Sequence, residues 1–454
     1  MKSEDHDPRW LCDREKTRSR SGLALVLWIV GWARAVTAAV GGAAPLSSVE
    51  VPKQLTLFEA RRLAFAHNWD LLAAKSDIDV ATAQTIIARE FPSLAVAYST
   101  AKIPADNHSS STEGGNGLWQ RNYDTIIAIN QLFEIGGKRS SRRASADAGF
   151  EGARARLLEA KRQLELAVTR AYIAALQAAS DVKILRQSSE SLRSEARIAE
   201  SRLAAGDISK SDKNQIEIAA ERFELDARSA DTTATTLRLA LEALLGSTHP
   251  TGDWVAVDTL DSLISTAPAE DNISAEPRPD LLAAEAGLKK TEADMRLQKA
   301  LRIPDPTVQL LYEHEPPDQP NTLGLGLSFP LPLWNRNRGG IRSAEAARDQ
   351  ALLAIGKVRT QIGSEIESAR LRYRDAADRW RRYRDEIQPR SEEVREAVSF
   401  AYAKGGAALL DLLTAERNAN DVGLDTGQAA ADSALAGATL QAALNLPGAG
   451  ADRK

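Results

Sequence analysis

Apolar residues recur along this chain with two different periods. In Thr322-Leu-Gly-Leu-Gly-Leu-Ser-Phe-Pro-Leu331 they alternate, placing Leu323, Leu325, Leu327, Phe329 and Leu331 on one side and Gly324, Gly326 and Ser328 on the other. A period of two predicts a strand. Residues 306–313 form a matching segment with Val308, Leu310 and Tyr312 on one face, and residues 93–99 and 124–133 supply a second pair. Polar loops at 106–116 and 313–321 join the strands within each pair. Pro92, Pro304, Pro306, Pro330 and Pro332 cluster where strand gives way to helix, as expected of a residue that ends helices and tolerates only terminal or edge strand positions. Elsewhere the period is helical. Leu157, Leu164, Val168, Ala171, Ala175, Val182 and Leu185 recur near heptad spacing, the pattern of a coiled-coil seam. The predicted helices cover residues 70–90, 140–204, 209–246, 280–301, 340–404 and 408–446. Each of the two longest reaches roughly 100 Å, more than a globular core can bury, and the shorter ones stacked end to end can run alongside. Pro389 lies inside the second long helix and is expected to bend or interrupt it.

These elements are written twice. Leu241-Glu-Ala-Leu-Leu-Gly246 answers to Leu440-Gln-Ala-Ala-Leu-Asn445 at a shift of 199, which also pairs Gly206 with Gly405, Asp212 with Asp411 and Glu217 with Glu416. Ser145–Ala148 matches Ser343–Ala346 at 198, and Asp70–Ala74 matches Asp280–Ala284 at 210. Four matches in one order mark an internal repeat. Each half runs helix, strand pair, long helix, glycine turn, helix. The chain divides into a signal peptide over 1–44, a first repeat over 45–248, a linker or equatorial segment over 249–276, a second repeat over 277–447 and a disordered tail over 448–454.

Composition narrows the class. Hydrophobic residues make up 43% of the 454, much of it alanine, and aromatics only 5%, which suits closely packed long helices better than one large core. A net charge of −4 with no sustained basic block gives no nucleic-acid surface. The single cysteine, Cys12, excludes an intrachain disulfide or cysteine metal cluster. It precedes the apolar run over residues 22–33 and so is misplaced for a lipid anchor. That run follows the basic stretch Arg14–Arg20 and precedes small residues around Ala38, the layout of a secretory signal. Five acidic residues among the first 20 are unusual there and point to a start placed too far upstream. No other stretch is long and apolar enough for a membrane helix, so a membrane role falls to the strands, whose length fits a bilayer. Trp119, Tyr123, Phe133 and Trp334 lie near strand ends, where interfacial aromatics belong. Four strands cannot close a barrel, and an open edge in lipid strands its backbone polar groups; closure therefore needs several chains. The alternatives are hairpins packed on soluble protein, or a free antiparallel coiled coil.

The stretch Gly326-Leu-Ser-Phe-Pro-Leu-Pro-Leu-Trp-Asn-Arg-Asn-Arg-Gly-Gly-Ile341, with Arg278-Pro-Asp-Leu281 and residues 402–413, resembles the outer-membrane factor (TolC-type) family, and the junction its cobalt–zinc–cadmium resistance subgroup. The resemblance covers about Leu55 to Leu446. It implies a mainly α fold with a small transmembrane β part, closing as a homotrimer into a twelve-stranded barrel on a helical periplasmic tunnel. It implies an outer membrane of a Gram-negative bacterium, surrounding lipid, a periplasmic adaptor and an inner-membrane resistance–nodulation–division pump as partners, and heavy-metal efflux as the function. The tip turns fall at Gly206 and Gly405, followed by Asp212 and Asp411, positions where related channels carry carboxylates at a closed end. Three copies would make a negative ring attractive to cations. Where the best-known channel has a further aspartate this chain has Thr414, and at a tip arginine position Ala407, so that closing network is altered here. Asp212, beside Ser209 and Ser211, equally suits N-capping; Asp411, after two leucines, is the weaker cap.

No enzymatic constellation converges. His6, His67, His108, His249 and His314 are scattered without metal-ligand spacing, and Gly136-Gly-Lys and Gly339-Gly-Ile lack the rest of a phosphate loop. His314 between Glu313 and Glu315 suits a solvated loop. No catalytic residue, metal site or cofactor is expected. Two other functions stay open: an outer component for organic compounds or type I secreted peptides, and a soluble periplasmic coiled-coil adaptor or scaffold.

Overall fold

The computed structural model describes residues 50–101, 124–265, 277–315 and 319–446. The chain runs β1 (Gln54–Leu55), α1 (Leu57–His67), α2 (Trp69–Arg89), β2 (Ala95–Ala101), β3 (Asp124–Leu132), α3 (Lys138–Ala204) and α4 (Lys210–Leu244). It then crosses β4 (Val255–Ala256) and α5 (Leu260–Ser265) before the second round: α6 (Pro279–Ala300), β5 (Thr307–Glu315), β6 (Gln319–Ser328), α7 (Arg338–Arg382), α8 (Gln388–Ala403) and α9 (Leu409–Ala443). Helix α3 has 67 residues, about 100 Å at 1.5 Å per residue. Its seam residues Leu164, Val168, Ala175, Val182 and Leu185 are buried. Helix α2 packs along the strand end of α3 and α4 along its far end, and α6 and α9 flank α7 in the same way.

The two rounds break at corresponding places. Gly137 and Asn337 open the long helices, Gly206 and Gly405 end them, and Gly246 and Asn445 follow the last helices, all with positive φ. At Gly246 the requirement is steric as well, since an added Cβ would sit 2.3 Å from the carbonyl oxygen of His67.

Three features add to the sequence expectations. Pro389 does not interrupt its helix: α7 passes into α8 through one π turn, Tyr383–Ile387. Gln388 N–H bonds back to Tyr383 O, and this wider turn makes room for the proline ring while the chain stays helical. Helix α1 is additional. Thr56 and Glu59 cap its start reciprocally, so the motif Thr-x-x-Glu was its signal. The segment after residue 249, the linker or equatorial segment between the repeats, is docked: β4 pairs in parallel with β1, and Trp254 is 1% exposed.

Trp254 stacks on Tyr172 with ring centroids 6.0 Å apart, inside a core of Leu55, Ala60, Ala64, Leu71, Leu164, Val168, Leu241 and Leu245. Tyr172 Oη lies 2.8 Å from both Leu55 O and Asp258 Oδ2, and Leu57 N–H donates to the same carboxylate oxygen at 2.7 Å. Burial, followed by the Asp258 hydrogen bond and charge, raises the Tyr172 phenol well above its ordinary range. Arg278 explains the Arg-Pro-Asp signature. It is buried, pairs with Asp280 at 2.7 Å and Glu365 at 2.8 Å, and so fastens the start of α6 to α7.

Candidate functional site

The four long strands form one antiparallel sheet in the order β2-β3-β5-β6. The central pairing, β3 with β5, joins the two repeats. Register aligns the apolar positions in rows. Tyr98, Ile127, Tyr312 and Leu323 face one another across all four strands, as do Val96, Ile129, Leu310 and Leu325. Gln131, Val308 and Leu327 make a third row. Since side chains alternate across a sheet, these rows share one face, and that face is bare: Leu325 is 81% exposed. The opposite face carries Ala95, Ala97, Asn130, Gln309, Glu313, Gly324 and Gly326. There a Cβ on Gly324 would meet Leu311 Cγ at 2.9 Å, so the glycine lets the leucine fold down against the sheet.

Sheet ends and proline positions agree. Strand β6 stops at Ser328, one residue short of Phe329, because Pro330 and Pro332 cannot donate to a ladder. Phe133 and Trp334 flank the sheet and are exposed, Trp334 at 92%. Trp119 and Tyr123 lie outside the described residues. The sheet is fastened to the helices by Lys138, whose buried ammonium pairs with Asp305 at 2.7 Å and donates to Ile303 O at 2.6 Å. Asp305 also accepts from Ile135 N–H at 2.9 Å.

At the far end the turns through Gly206 and Gly405 are alike. Asp207 N–H bonds to Arg202 O at 2.9 Å and Gly406 N–H to Ala401 O at 2.8 Å, closing the helix ends through left-handed glycines. Ser209 Oγ accepts from Asp212 N–H at 3.1 Å, while Asp212 Oδ2 accepts from Ser209 N–H at 3.2 Å. Asp411 Oδ2 accepts from Ala408 N–H at 3.2 Å. Asp411, the weaker cap on sequence grounds, thus makes half of a capping box. Alanine at 408 hid this, because the box is usually recognised by its hydroxyl. Arg202 ties the turns together, donating to Tyr402 O at 3.0 Å with its guanidinium 5.1 Å from the Tyr402 ring. Ala199, Ile216, Tyr402 and Leu412 form the small core beneath. Thr414 Oγ donates to Leu410 O within its own helix.

Ser209→Ala is expected to cost about 1 kcal/mol of tip stability. Hydrogen exchange at residues 210–213 should quicken while the global unfolding midpoint barely moves.

Among the described residues no three His, Cys, Asp or Glu side chains gather as a metal site, and no helix is long and apolar enough to cross a membrane. Strands sized for a bilayer and helices too long for a single globular core suit an outer-membrane channel component, and the comparisons with known proteins show that class: the outer-membrane component of an efflux channel. The chain belongs to the outer membrane efflux protein family, which it matches over residues 60–247 and 272–446. It is 26% identical to the cobalt-zinc-cadmium resistance protein CzcC of Cupriavidus metallidurans over 381 residues, 82% of this chain and 86% of that one. It is 27% identical to the nickel-cobalt-cadmium resistance protein NccC of Alcaligenes xylosoxydans xylosoxydans over 271 residues, 58% and 59% of the two chains. The fold is also that of the outer membrane protein VceC from Vibrio cholerae, with a TM-score of 0.68, 18% identity, and coverage of 86% of this chain and 95% of that one.

Proposed function

We propose that three copies of this chain close a twelve-stranded barrel in the outer membrane of a Gram-negative bacterium, above a helical periplasmic tunnel, and that the channel discharges heavy-metal cations. One observation carries the reading: two rows, Tyr98-Ile127-Tyr312-Leu323 and Val96-Ile129-Leu310-Leu325, line one face across all four strands of a sheet whose outer strands β2 and β6 are its edges among the described residues. In lipid each edge needs a partner, and β6 of one copy meeting β2 of the next supplies it. In this assembly Val308, Leu310, Tyr312, Leu323, Leu325, Leu327 and Phe329 face lipid, and Phe133 and Trp334 sit at its boundary. Asp212 and Asp411 ring the tip beside Gly206 and Gly405, where a periplasmic adaptor docks and links the channel to a resistance–nodulation–division pump. The heavy-metal cargo follows the names of CzcC and NccC. Capping a helix and lining the gate are compatible roles for one side chain.

The test begins with the full chain expressed with its own leader. Expected are outer-membrane fractionation, a trimer mass in detergent, discrete conductance steps in a planar bilayer, and restored cobalt, zinc or cadmium tolerance beside a matching pump. A soluble monomer without conductance refutes the channel, while conductance with tolerance only to organic compounds moves the cargo to those. Asp212→Asn with Asp411→Asn is expected to lower cation-over-anion permeability by about threefold or more, measured as reversal potential in a salt gradient.

A further inference from the structure

The helical part has seams of two kinds. Within the first repeat, α3 meets α4 through apolar contacts: Ala178, Val182 and Ala234, then Leu192, Ala219 and Ala220. Between the repeats, α3 meets α9 and α8 through apolar contacts at either end, Ile173 with Ala431 and Ala434 and Ala199 with Tyr402 and Leu412, and through polar groups in the stretch between. Ser188 Oγ donates to Asn420 Oδ1 at 2.9 Å, Ser191 Oγ to Glu416 Oε1 at 3.1 Å and Ser399 Oγ to Glu195 Oε1 at 2.8 Å. Glu416 and Glu195 are 2% and 7% exposed. Further along the same seam Asp181 faces Gly427, and Ile184 faces Gly423. The buried Oδ1 of Asp181 and Oε2 of Glu195 have no hydrogen-bond partner. A cavity of about 120 Å³ opens on this seam, lined by Ser188, Gln388, Glu392, Arg395, Glu416 and Asn420. Gln388 is where the π turn meets α8.

From this geometry we infer that the seam between the repeats is a proton-controlled slip plane: acid tightens α3 against α8 and α9, and neutral pH loosens it. A carboxylate buried without a countercharge is destabilised relative to one in water, and separating the helices hydrates it. For Asp181 burial is the cause, and it lifts the carboxyl from 3.8 to about 6. Glu416 is raised by burial first. Ser191 and Arg395 oppose this, and Glu195 and Glu392 add to it. The charged groups facing Glu416 are therefore Glu195 on α3 and Glu392 and Arg395 on α8. Both shifts are upward, so the packed seam holds its protons more tightly than the loosened one. Its extra stability is present below the ordinary carboxylate range and is lost as pH rises through the packed-state values. For Asp181 the window runs from 3.8 to about 6, and across it the ratio of packed to loosened seam changes by roughly ten- to a hundredfold.

Spin labels at two exposed positions, Ser194→Cys on α3 and Asn418→Cys on α9, read the width of the seam in the full-length protein in detergent. Distances are expected to be short and narrowly distributed at pH 4.5 and longer and broader at pH 7.5. With Asp181→Asn and Glu416→Gln added, which mimic the protonated forms, the short distribution should persist at both pH values. Wild-type distances that ignore pH, or an unchanged pH response in the double variant, would overturn the inference. Loss of bilayer conductance in the wild type bears instead on the channel reading, so the two failures are distinguishable.

Discussion

Leu325→Arg is expected to remove nearly all of the protein from the outer membrane, while Ser328→Arg, three residues along the same strand, leaves most of it in place. Leu325 lies mid-strand in the row Val96, Ile129, Leu310, Leu325. An arginine on the lipid face of a barrel costs about 2–4 kcal/mol at the bilayer midplane, and the proposed three-fold assembly would present it three times. Ser328 is cross-strand from Thr307, on the face with Gly324 and Gly326, which in the proposed barrel would meet water. The measurement is the amount of trimer recovered from outer-membrane fractions for each variant. Equal recovery of the two would mean that the apolar face is not the one in lipid.

Trp254→Ala should be the most damaging change in the helical part. The indole is fully enclosed, and removing it leaves a void beside Tyr172 and the β1–β4 pair. Emptying an aromatic core position costs about 3–5 kcal/mol, and the stacked contact adds to the loss. The denaturant midpoint in detergent should fall accordingly, with Trp254→Phe recovering a large part. By contrast, Arg186→Ala disturbs only the exposed pair with Asp231, at 3.3 Å, and should change stability by less than about 1 kcal/mol. A small effect of Trp254→Ala would mean that β4 is held by its backbone pairing alone.

Much of this architecture was legible in the sequence because its signals are local and periodic. Alternation located four strands to within a few residues, and heptad spacing found α3. The glycine pairs 206 and 405 placed both tip turns. The pairing of β3 with β5 was hidden because it joins residues about 180 apart, and period alone does not name a partner. The burial of Trp254 left no trace in the sequence pattern, since a short segment has no period to show it. Pro389 raised the right question about its helix, and a π turn answered it by widening the backbone rather than breaking it. Asp411 was harder still: its capping bond goes to the backbone N–H of an alanine, which no side-chain motif announces.

The place of β2 and β6 at opposite ends of the sheet would have a kinetic consequence for the proposed three-copy barrel. A porin of one chain closes its own wall, so its insertion is first order in protein. Here no protomer satisfies its edges alone, and a solitary sheet is either kept out of the lipid or left with two sticky borders. Membrane entry and oligomerisation then become a single event whose rate climbs steeply with local protomer concentration. Low expression should therefore deplete finished channels out of proportion to the protein made.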